Sequence, residues 1–213
     1  MTLKEQMAQG RLYREFGHPS EEDQAYEKII EQQRTHCKEM MYDFNQTRPS
    51  QAEERQRILR ELLAEVGKDP WIEPPCHLAY GCNIHIGDFF YANFNLVIVD
   101  DIDVYIGNHV MMAPNVTLTV TGHPVWPEHR RDGTQFSLPI RIGDDVWIGS
   151  NVVILPGVSI GAGSVIGAGS VVTHDIPERV VAFGTPCRVI RPITDYDREY
   201  YRKGFRIGPD DMV

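Results

Sequence analysis

A six-residue repeat dominates the sequence from Ile142 onward. The segment divides into IGDDVW, IGSNVV, ILPGVS, IGAGSV, IGAGSV and VTHDIP, and every hexad begins with Ile or Val. A helix cannot produce this pattern, because six is not a multiple of 3.6 and each interior glycine would cost about 1 kcal/mol. A period of six suits short strands joined by tight turns, which bury their apolar faces only by stacking. The repeat therefore predicts a parallel β-helix with one large apolar residue per hexad pointing inward and small residues at the corners.

Looser copies of the repeat begin earlier, at Ile86 and Ile106, and the register breaks between residues 121 and 139. A long segment without hexads that leaves a regular solenoid is usually functional. We therefore predict that residues 71–213 form the β-helix, with an extruded loop over 121–139 and a C-terminal tail. The strict register disfavours an ordinary β-sandwich with glycine-rich turns.

Residues 1–70 are charged and contain little glycine, which predicts a helical subdomain. One helix is expected over roughly residues 20–36. A second is expected after Ser50, where SQAE matches a capping box. Its apolar stripe runs over Ile58, Leu59, Leu62, Leu63 and Val66, and Gly67 is the predicted stop.

Composition excludes several classes of protein. The chain has 21 Lys and Arg against 30 Asp and Glu, a net charge of −9, which makes it a poor general binder of nucleic acid. No segment approaches the roughly 20 apolar residues of a membrane span, and the N-terminus lacks the apolar core of a signal peptide. The four cysteines form no CxxC pair. We expect a cytoplasmic protein with reduced thiols and no metal site.

Four segments carry a family resemblance: YGCNIHIGDFFYANFNLVIVDD (80–101), APNVTLTVTGHPV (113–125), IGDDVWIGSNVVILPGVSIG (142–161) and GTPCRVIR (184–191). They closely resemble the hexapeptide-repeat sugar O-acetyltransferases, above all those acting on galactosides, with the maltose enzymes as near relatives. The resemblance implies a left-handed parallel β-helix that assembles as a homotrimer, with active sites between subunits. It also implies acetyl-CoA as co-substrate, no permanently bound cofactor, and transfer to the 6-hydroxyl of a galactoside. Maltose, glucose or another acceptor is the alternative.

Acetyl transfer to a hydroxyl needs a base, because the hydroxyl is a very weak acid, and donors for the oxyanion that develops. His123 lies in the loop that breaks the register, and an imidazole accepts a proton near neutral pH. It also matches the catalytic histidine of the family's TGHP motif. We therefore predict that His123 is the general base. A solvated loop histidine is the alternative.

The resemblance assigns acceptor contacts to Glu15, Asn93, Asp101 and Gln135. Amides and carboxylates suit this role because they fix hydroxyl positions through directed hydrogen bonds. An asparagine ladder at the turns is the alternative for Asn93. The chain departs from the family where Ala79 replaces a serine, where Gln135 replaces a methionine, and where Glu15 replaces an aspartate.

The resemblance also assigns acetyl-CoA contacts to Trp147, Ser150, Ala168, Thr173, His174, Arg188 and Arg191. The backbone N–H of Ser150 is the expected oxyanion donor. The two arginines would bind the phosphates of CoA, a solvated surface pair being the alternative. Trp147 would pack on the pantetheine arm or between subunits. No cysteine is expected at the site, so transfer should be direct.

Two other classes of protein are alternatives on the same fold. A γ-type carbonic anhydrase needs three histidines around zinc, and only His123 and His129 are candidates in the loop. A non-enzymatic β-helix, such as an ice-binding solenoid, would need stacked copies of the outward threonines of TLTVT (117–121), which occur once. Serine and antibiotic acetyltransferases share the hexads, but the ANFN and VDD segments favour a sugar acceptor.

Overall fold

The hexads form the strands of a parallel β-helix, as predicted. The structure, a computed structural model, describes residues 1–211. Each coil gives one short strand to each of three sheets. Sheet 1 consists of β1 (Glu65–Val66), β4 (Ile84–Ile86), β7 (Val104–Ile106), β12 (Ile140–Ile142) and β15 (Ser159–Ile160). Sheet 2 consists of β2 (Trp71–Ile72), β5 (Tyr91–Ala92), β8 (Met111–Met112), β13 (Trp147–Ile148), β16 (Val165–Ile166), β18 (Val180–Gly184) and the antiparallel β19 (Cys187–Pro192). Sheet 3 consists of β3 (Cys76–Leu78), β6 (Leu96–Val99), β9 (Thr117–Thr119), β14 (Val153–Ile154) and β17 (Val171–Val172).

The interior of the coil is filled by the first residue of each hexad. Ile148, Ile154 and Ile166 are completely buried, and their equivalents are at most 3% exposed. Burying such a side chain contributes about 1.5–3 kcal/mol, so the stack supplies much of the folding free energy. The predicted small residues occur at the corners, where the hydroxyl of Ser164 donates to the carbonyl of Pro177 at 2.7 Å. The inward first position is therefore confirmed, but the prediction of one large apolar residue per hexad was too low, because valines at the fifth position, such as Val146 and Val152, are completely buried as well.

Extra residues enter the coil at one corner. From Arg141 to its partner Ser159 the coil takes 18 residues. The first two coils, from Glu65 to His85 and from Ile84 to Val104, take 20 residues each, and the coil from Val104 to Ile140 takes 36. All of these excesses lie between sheet 3 and sheet 1, which we call the 3–1 corner. The turns between sheet 2 and sheet 3, here the 2–3 corner, stay short in every coil.

The larger excess is the predicted extruded loop. Its base is closed by an antiparallel pair, β10 (Thr121–Gly122) with β11 (Phe136–Ser137). A 3-10 helix, Pro127–Arg130, turns the chain at the tip. Arg130 holds the turn by donating to the carbonyls of Pro124 and Val125 at 3.0 and 2.5 Å.

Three helices precede the coil: α1 (Leu3–Ala8), α2 (Glu21–Gln46) and α3 (Ala52–Leu62). Ser20 caps α2 as expected, but the helix runs ten residues past the predicted end, because Cys37, Met41 and Phe44 continue its buried face. These side chains and those of α3 pack on the first coils. None of the helices within residues 1–211 is both long and apolar enough to cross a membrane.

Both predicted ends of α3 were wrong. Its N-cap is Gln51 rather than Ser50, and no side chain caps it, because the Gln51 side chain instead accepts from the N–H of Arg48. The helix ends at Leu62, and Val66 lies in β1, ahead of the predicted start of the coil at residue 71. Gly67 serves the coil instead: a Cβ there would stand 2.4 Å from the backbone of Gly87.

The chain beyond sheet 2 forms a small tail. Helix α4 (Asp195–Glu199) leads into a hairpin of β20 (Tyr200–Arg202) and β21 (Phe205–Arg206).

Candidate active site

The N-terminal segment is joined to the base of the extruded loop. Tyr13 and Gln135 exchange two backbone hydrogen bonds, each of 2.9 Å. This bridge brings Glu15 to the 3–1 corner, beside Asp101. Three of the four side chains that the resemblance assigns to the acceptor, Glu15, Asp101 and Gln135, therefore come together here, whereas Asn93 lies elsewhere.

Asp101 lies at the centre of this group and is 8% exposed. The hydroxyl of Thr121 donates to its Oδ2 at 2.7 Å, and Gln135 Nε2 donates to its Oδ1 at 3.2 Å. The same Gln135 amide donates to Tyr13 Oη at 3.0 Å, and Tyr13 Oη lies 2.7 Å from Ser137 Oγ. Gln135 is itself buried, so its amide fixes Asp101 and Tyr13 within the chain.

Glu15 is held by a cation and a phenol. Arg34 Nη2 lies 2.6 Å from both carboxylate oxygens, and Tyr80 Oη donates to Oε1 at 2.5 Å. Tyr80 is placed by its own backbone, since the N–H groups of Ala79 and Tyr80 donate to buried Asp100 at 3.0 and 2.9 Å. Ala79, one of the departures from the family, thus takes part in this corner through its backbone.

The pKa values of the two carboxylates in this cluster are shifted in opposite directions. Burial acts to raise the pKa of Glu15, but the hydrogen bonds from Tyr80 and Arg34 outweigh it, so its pKa is lowered. The pKa of Asp101 is raised, first by burial and then by the neighbouring charge of Glu15, against the hydrogen bond from Thr121. Glu15 therefore keeps its charge, and Asp101 is the group that takes a proton first.

His123 is exposed, at the start of the loop just after β10. Its Nδ1 lies 2.9 Å from the carbonyl oxygen of Thr134. A carbonyl can only accept, so Nδ1 carries the hydrogen, and in the neutral ring Nε2 is then the unprotonated nitrogen. Thr134 is fixed in turn by Asp132, which accepts from its hydroxyl at 2.7 Å. The loop thus holds an imidazole in the tautomer that a general base needs.

The 2–3 corner has a different character. Asn95, Asn115 and Asn151 stack there in successive coils and pass amide hydrogen bonds of 2.9 and 3.1 Å along the corner. All three have positive φ, which asparagine tolerates better than most residues. Asn93 lies outside this ladder. Its Oδ1 accepts from the N–H of Phe94 at 2.8 Å, and its Nδ2 donates to no group within residues 1–211.

Ser150 occupies the same corner. Its carbonyl accepts from Gly169 at 2.8 Å, while its own N–H has no acceptor in the described part of the chain. Gly149 allows the coils to approach here, since a Cβ would lie 2.6 Å from the nitrogen of Ala168. Ala168 is exposed directly beside this point. The 2–3 corner therefore presents the backbone N–H of Ser150 as a donor that no acceptor within residues 1–211 uses.

The remaining residues assigned to acetyl-CoA fall in two places. Trp147, 50% exposed, and the exposed Arg188 and Arg191 lie on sheet 2. Thr173 and His174 follow β17 at the 3–1 corner, where their side chains lie 2.8 Å apart. One chain thus gathers Asn93, Ser150 and Ala168 at the 2–3 corner, and gathers His123, Glu15, Asp101 and Gln135 at the other end of sheet 3.

Several residues of the 3–1 corner were missed from the sequence. The two extra residues in the coil that ends at Asp101 were a detectable signal, because they shift the hexads between Ile86 and Ile106. Nothing in the sequence marked Arg34, which lies among charged residues on α2. The other residues of this corner that the sequence did not indicate are Tyr13, Tyr80, Thr121 and Ser137.

Two observations bear on the alternatives on the same fold. Residues 1–211 contain no group of three metal-ligating side chains. Thr117 is flanked in sheet 3 by Val97 and Val153, so no threonine ladder forms.

Comparisons with known proteins identify the family of this chain. Residues 139–174 match the model of the bacterial transferase hexapeptide (six repeats), and residues 6–67 match the maltose acetyltransferase hexapeptide capping motif. The chain is 57% identical over 178 residues to a galactoside O-acetyltransferase of Escherichia coli strain K12, covering 84% of this chain and 88% of that protein. It is 47% identical over 175 residues to one from Lactococcus lactis, covering 82% and 84%.

Two solved structures are similar over nearly the whole chain. A galactoside acetyltransferase in complex with coenzyme A has a TM-score of 0.90 at 51% identity, with 98% of this chain and 99% of that one covered. A maltose O-acetyltransferase from Clostridium difficile has a TM-score of 0.83 at 42% identity, with 91% and 98% covered. Sequence, coil and comparisons agree that this chain belongs to the hexapeptide-repeat acetyltransferases and is an acetyl-CoA-dependent enzyme of the galactoside O-acetyltransferase type.

Proposed function

We propose that the enzyme transfers the acetyl group of acetyl-CoA directly to a sugar hydroxyl, the 6-hydroxyl of a galactoside, with His123 as the general base. The observation that carries the proposal is the contact between His123 Nδ1 and the carbonyl of Thr134, which leaves Nε2 as the acceptor. The Asp101 cluster lies at the base of the same loop and suits an acceptor rich in hydroxyl groups.

The reaction follows from these groups. The sugar oxygen attacks the thioester carbonyl carbon while Nε2 of His123 takes the hydroxyl proton. The N–H of Ser150 donates to the oxyanion of the tetrahedral intermediate. The C–S bond then breaks, and the imidazolium returns its proton to the departing thiolate, so that ester and CoA thiol are the products.

The acceptor is held by groups of opposite hydrogen-bonding character. Asp101 accepts from sugar hydroxyls, and Asn93 Nδ2 donates to a sugar or acetyl oxygen. Glu15 is already bound to Arg34 and Tyr80, so it offers its remaining lone pairs in a fixed direction. Gln135 acts on the acceptor by holding Asp101.

We further propose a homotrimer with the active sites between subunits. A single chain places His123 and Asp101 at one end of sheet 3 and Ser150 and Asn93 at the other. Joining the 3–1 corner of one copy to the 2–3 corner of the next would bring base, acceptor and oxyanion donor together. The exposure of His123 in one chain fits a site that a second copy covers.

Subunit complementation tests this arrangement. His123→Ala and Asn93→Ala inactivate opposite corners, so each homotrimer should be nearly inactive. Coexpressed chains should recover activity, because random assortment gives about a quarter of the interfaces two intact corners. Two variants of the same corner, His123→Ala with Asp101→Ala, provide the matched control and should recover none. Equal recovery in both mixtures, or a mass of one chain in solution, would contradict the trimeric site.

Binding of acetyl-CoA and direct transfer are part of the same proposal. Trp147 would pack on the pantetheine arm, and Thr173, His174, Arg188 and Arg191 would contact the remainder of CoA. The thiols are poor candidates for an acyl carrier, since burial raises the pKa of Cys37 and of Cys76 to about 12. An acetylated protein that accumulates with acetyl-CoA alone would contradict direct transfer.

The helical segment that precedes the coil is the second structural unit of the chain, beside the β-helix. We propose that residues 1–64, the part of the predicted 1–70 subdomain that precedes β1, close the open end of the β-helix and supply one wall of the acceptor site through Glu15 and Arg34. Their apolar side chains share a core with the first coils, which supports this role.

An acceptor panel tests the choice of sugar. CoA release is measured with a galactoside, a thiogalactoside, maltose, glucose, serine and chloramphenicol. Turnover confined to the galactosides is the expected result. Maltose or glucose is the second candidate, because Ala79 and Gln135 change the lining of the corner. Turnover of serine or chloramphenicol alone would overturn the sugar assignment.

A further inference from the structure

The outward face of sheet 3 is lined mainly by β-branched side chains. Its central register position is occupied, strand by strand, by His77, Val97, Thr117, Val153 and Val171. The Val and Thr side chains are only half-buried in a single chain. The corresponding position on sheet 1 is occupied by Glu65, His85, Tyr105, Arg141 and Ser159. A row of Val and Thr is typical of a sheet face that is covered, whereas the charged row of sheet 1 suits solvent.

The trimer proposed above determines what covers this face. Sheet 3 joins the 2–3 corner to the 3–1 corner, and each of these corners meets a different neighbouring copy. Three triangular coils that touch at two corners each enclose a central space, and the side that joins those two corners faces it. Packed sheet faces lie about 10 Å apart, so sheet 3 of each copy would lie about 5 Å from the three-fold axis. Short Val and Thr side chains fit such a space.

His77 is the one titratable side chain in the row, and it lies at the open end of the sheet. Its strand, β3, is the edge strand of sheet 3. The free edge is fixed by Asn45, whose side-chain amide exchanges hydrogen bonds of 2.9 and 2.8 Å with the backbone of Cys76. His77 is exposed, and its ring nitrogens form no hydrogen bond or ion pair within residues 1–211. Both ring nitrogens of His85, by contrast, lie within 3.5 Å of a carboxylate oxygen.

Three copies of this imidazole would converge on the axis. A histidine side chain reaches further than a valine, so three copies can direct one nitrogen each to a common point. Three neutral imidazoles are a ligand set of Zn²⁺, at Zn–N distances of about 2.0–2.1 Å, and imidazole also suits Ni²⁺ and Cu²⁺. Residues 1–211 of one chain hold no group of three such ligands, so the site would exist only in the assembly. Arg55 shares a cavity with His77, but its charge is balanced by Glu73 at 3.8 Å.

We propose that sheet 3 faces the three-fold axis and that three copies of His77 bind one divalent transition-metal ion on that axis, an inference that rests on the proposed trimer. The ion ties the three chains together at the open end of the coil, while the Val and Thr rows pack along the rest of the axis. Its role is in assembly, because His77 lies outside the groups that carry acetyl transfer.

Metal stoichiometry tests the site. The full chain, freed of metal with a chelator, is titrated with Zn²⁺ by calorimetry, and light scattering gives its mass. We expect a mass of three chains, one tightly bound Zn²⁺ per three chains, and a higher Tm in Zn²⁺ because the ion binds only the assembled native state. In His77→Ala the tight step and the Tm shift should both be lost, with the mass of three chains retained. His109→Ala removes another exposed histidine and is the matched control, which should bind Zn²⁺ as the wild type does.

Tight binding that survives in His77→Ala, or one Zn²⁺ per chain, would overturn the proposal, because adventitious binding to surface histidines gives these results. A trimer that binds no Zn²⁺ would overturn the metal site alone.

A charge placed in the row tests the orientation of sheet 3. Val153→Lys would put three cations at the axis and should dissociate the trimer. Ser159→Lys, at the corresponding position on sheet 1, is the matched control and should stay trimeric. A trimeric Val153→Lys protein would show that sheet 3 does not face the axis, whereas a wild type with the mass of one chain would overturn the trimer itself. No sugar or acetyl-CoA is used, so a wrong acceptor assignment would leave these results unchanged.

Discussion

The two corners at the ends of sheet 3 use the same backbone for opposite purposes. The 2–3 corner keeps the same short turn in coil after coil and is held by the ladder of Asn95, Asn115 and Asn151. The 3–1 corner gains two residues in each of the first two coils and a long loop in the third. The regular corner supplies a backbone donor at Ser150, and the irregular corner supplies titratable side chains. In this fold, repetition provides rigidity, and the departures from repetition provide chemistry.

The sharpest way to test this contrast is to remove the base. We expect His123→Ala to lower kcat by about 10²–10⁴-fold, the usual contribution of general base catalysis, while assembly and the melting temperature stay unchanged because the side chain is exposed. CoA release with a sugar acceptor is the measurement. His129→Ala, also exposed in the loop, is the control and should keep its activity. A His123→Ala enzyme with wild-type turnover would show that the loop does not carry the base.

The second test concerns the cost of the irregular corner. Burial raises the pKa of Asp100 to about 7, against the hydrogen bonds from the N–H groups of Tyr80 and Ala79, and one carboxylate oxygen has no partner within residues 1–211. The folded protein therefore holds this proton more tightly than the unfolded chain, whose pKa is about 3.9. Stability should fall as pH rises from about 4 to about 7, by up to about 4 kcal/mol.

Asp100→Asn isolates this effect. The variant keeps an oxygen that accepts from both N–H groups, but its side chain cannot ionise. Its free energy of unfolding should therefore not fall between pH 4 and pH 7 through this residue. Urea unfolding at pH 4.5 and 7.5, at one protein concentration, measures the difference. Parallel pH dependence in the two proteins would mean that Asp100 does not titrate in this range.

The third test disturbs the regular corner. Asn115→Ala removes both hydrogen bonds that Asn115 makes in the ladder. It also leaves alanine in the left-handed backbone conformation, at φ 62°, which alanine tolerates less well than asparagine. We expect a loss of about 2 kcal/mol in stability with kcat unchanged. Asn115→Gly removes the same bonds but tolerates the backbone, so it should lose less. Equal losses in urea unfolding would assign the whole effect to the hydrogen bonds.

The smallest expected effect concerns the acceptor. Gln135→Met removes the amide that binds Asp101 and Tyr13, so we expect KM for the sugar to rise several-fold with KM for acetyl-CoA unchanged. The pKa of Asp101 should rise further, because a hydrogen bond that lowers it is lost. The pH profile of the sugar KM should move upward accordingly. If the KM for the sugar and its pH profile are unaltered, Gln135 has only a packing role.

The contrast between the corners also explains what could be predicted from the sequence. The β-helix could be predicted because an inward Ile or Val recurs every six residues. The loop could be predicted because this six-residue interval is interrupted there. The ends of α3 were missed because Gln51 and Leu63 end the helix without the usual capping side chains. The pairing of Glu15 with Arg34 was hidden, because it depends on how an irregular segment crosses the surface of a helix.

The closed base of the extruded loop has a practical consequence for protein engineering. Thr121 and Ser137 are paired across β10 and β11, so both ends of the loop are fixed in space by the coil. A flexible segment of twice the length would cost only about 0.6 kcal/mol more to close. The loop can therefore be exchanged as a unit. Segments from relatives with other acceptors can replace the residues between Thr121 and Ser137 without altering the register of the three sheets.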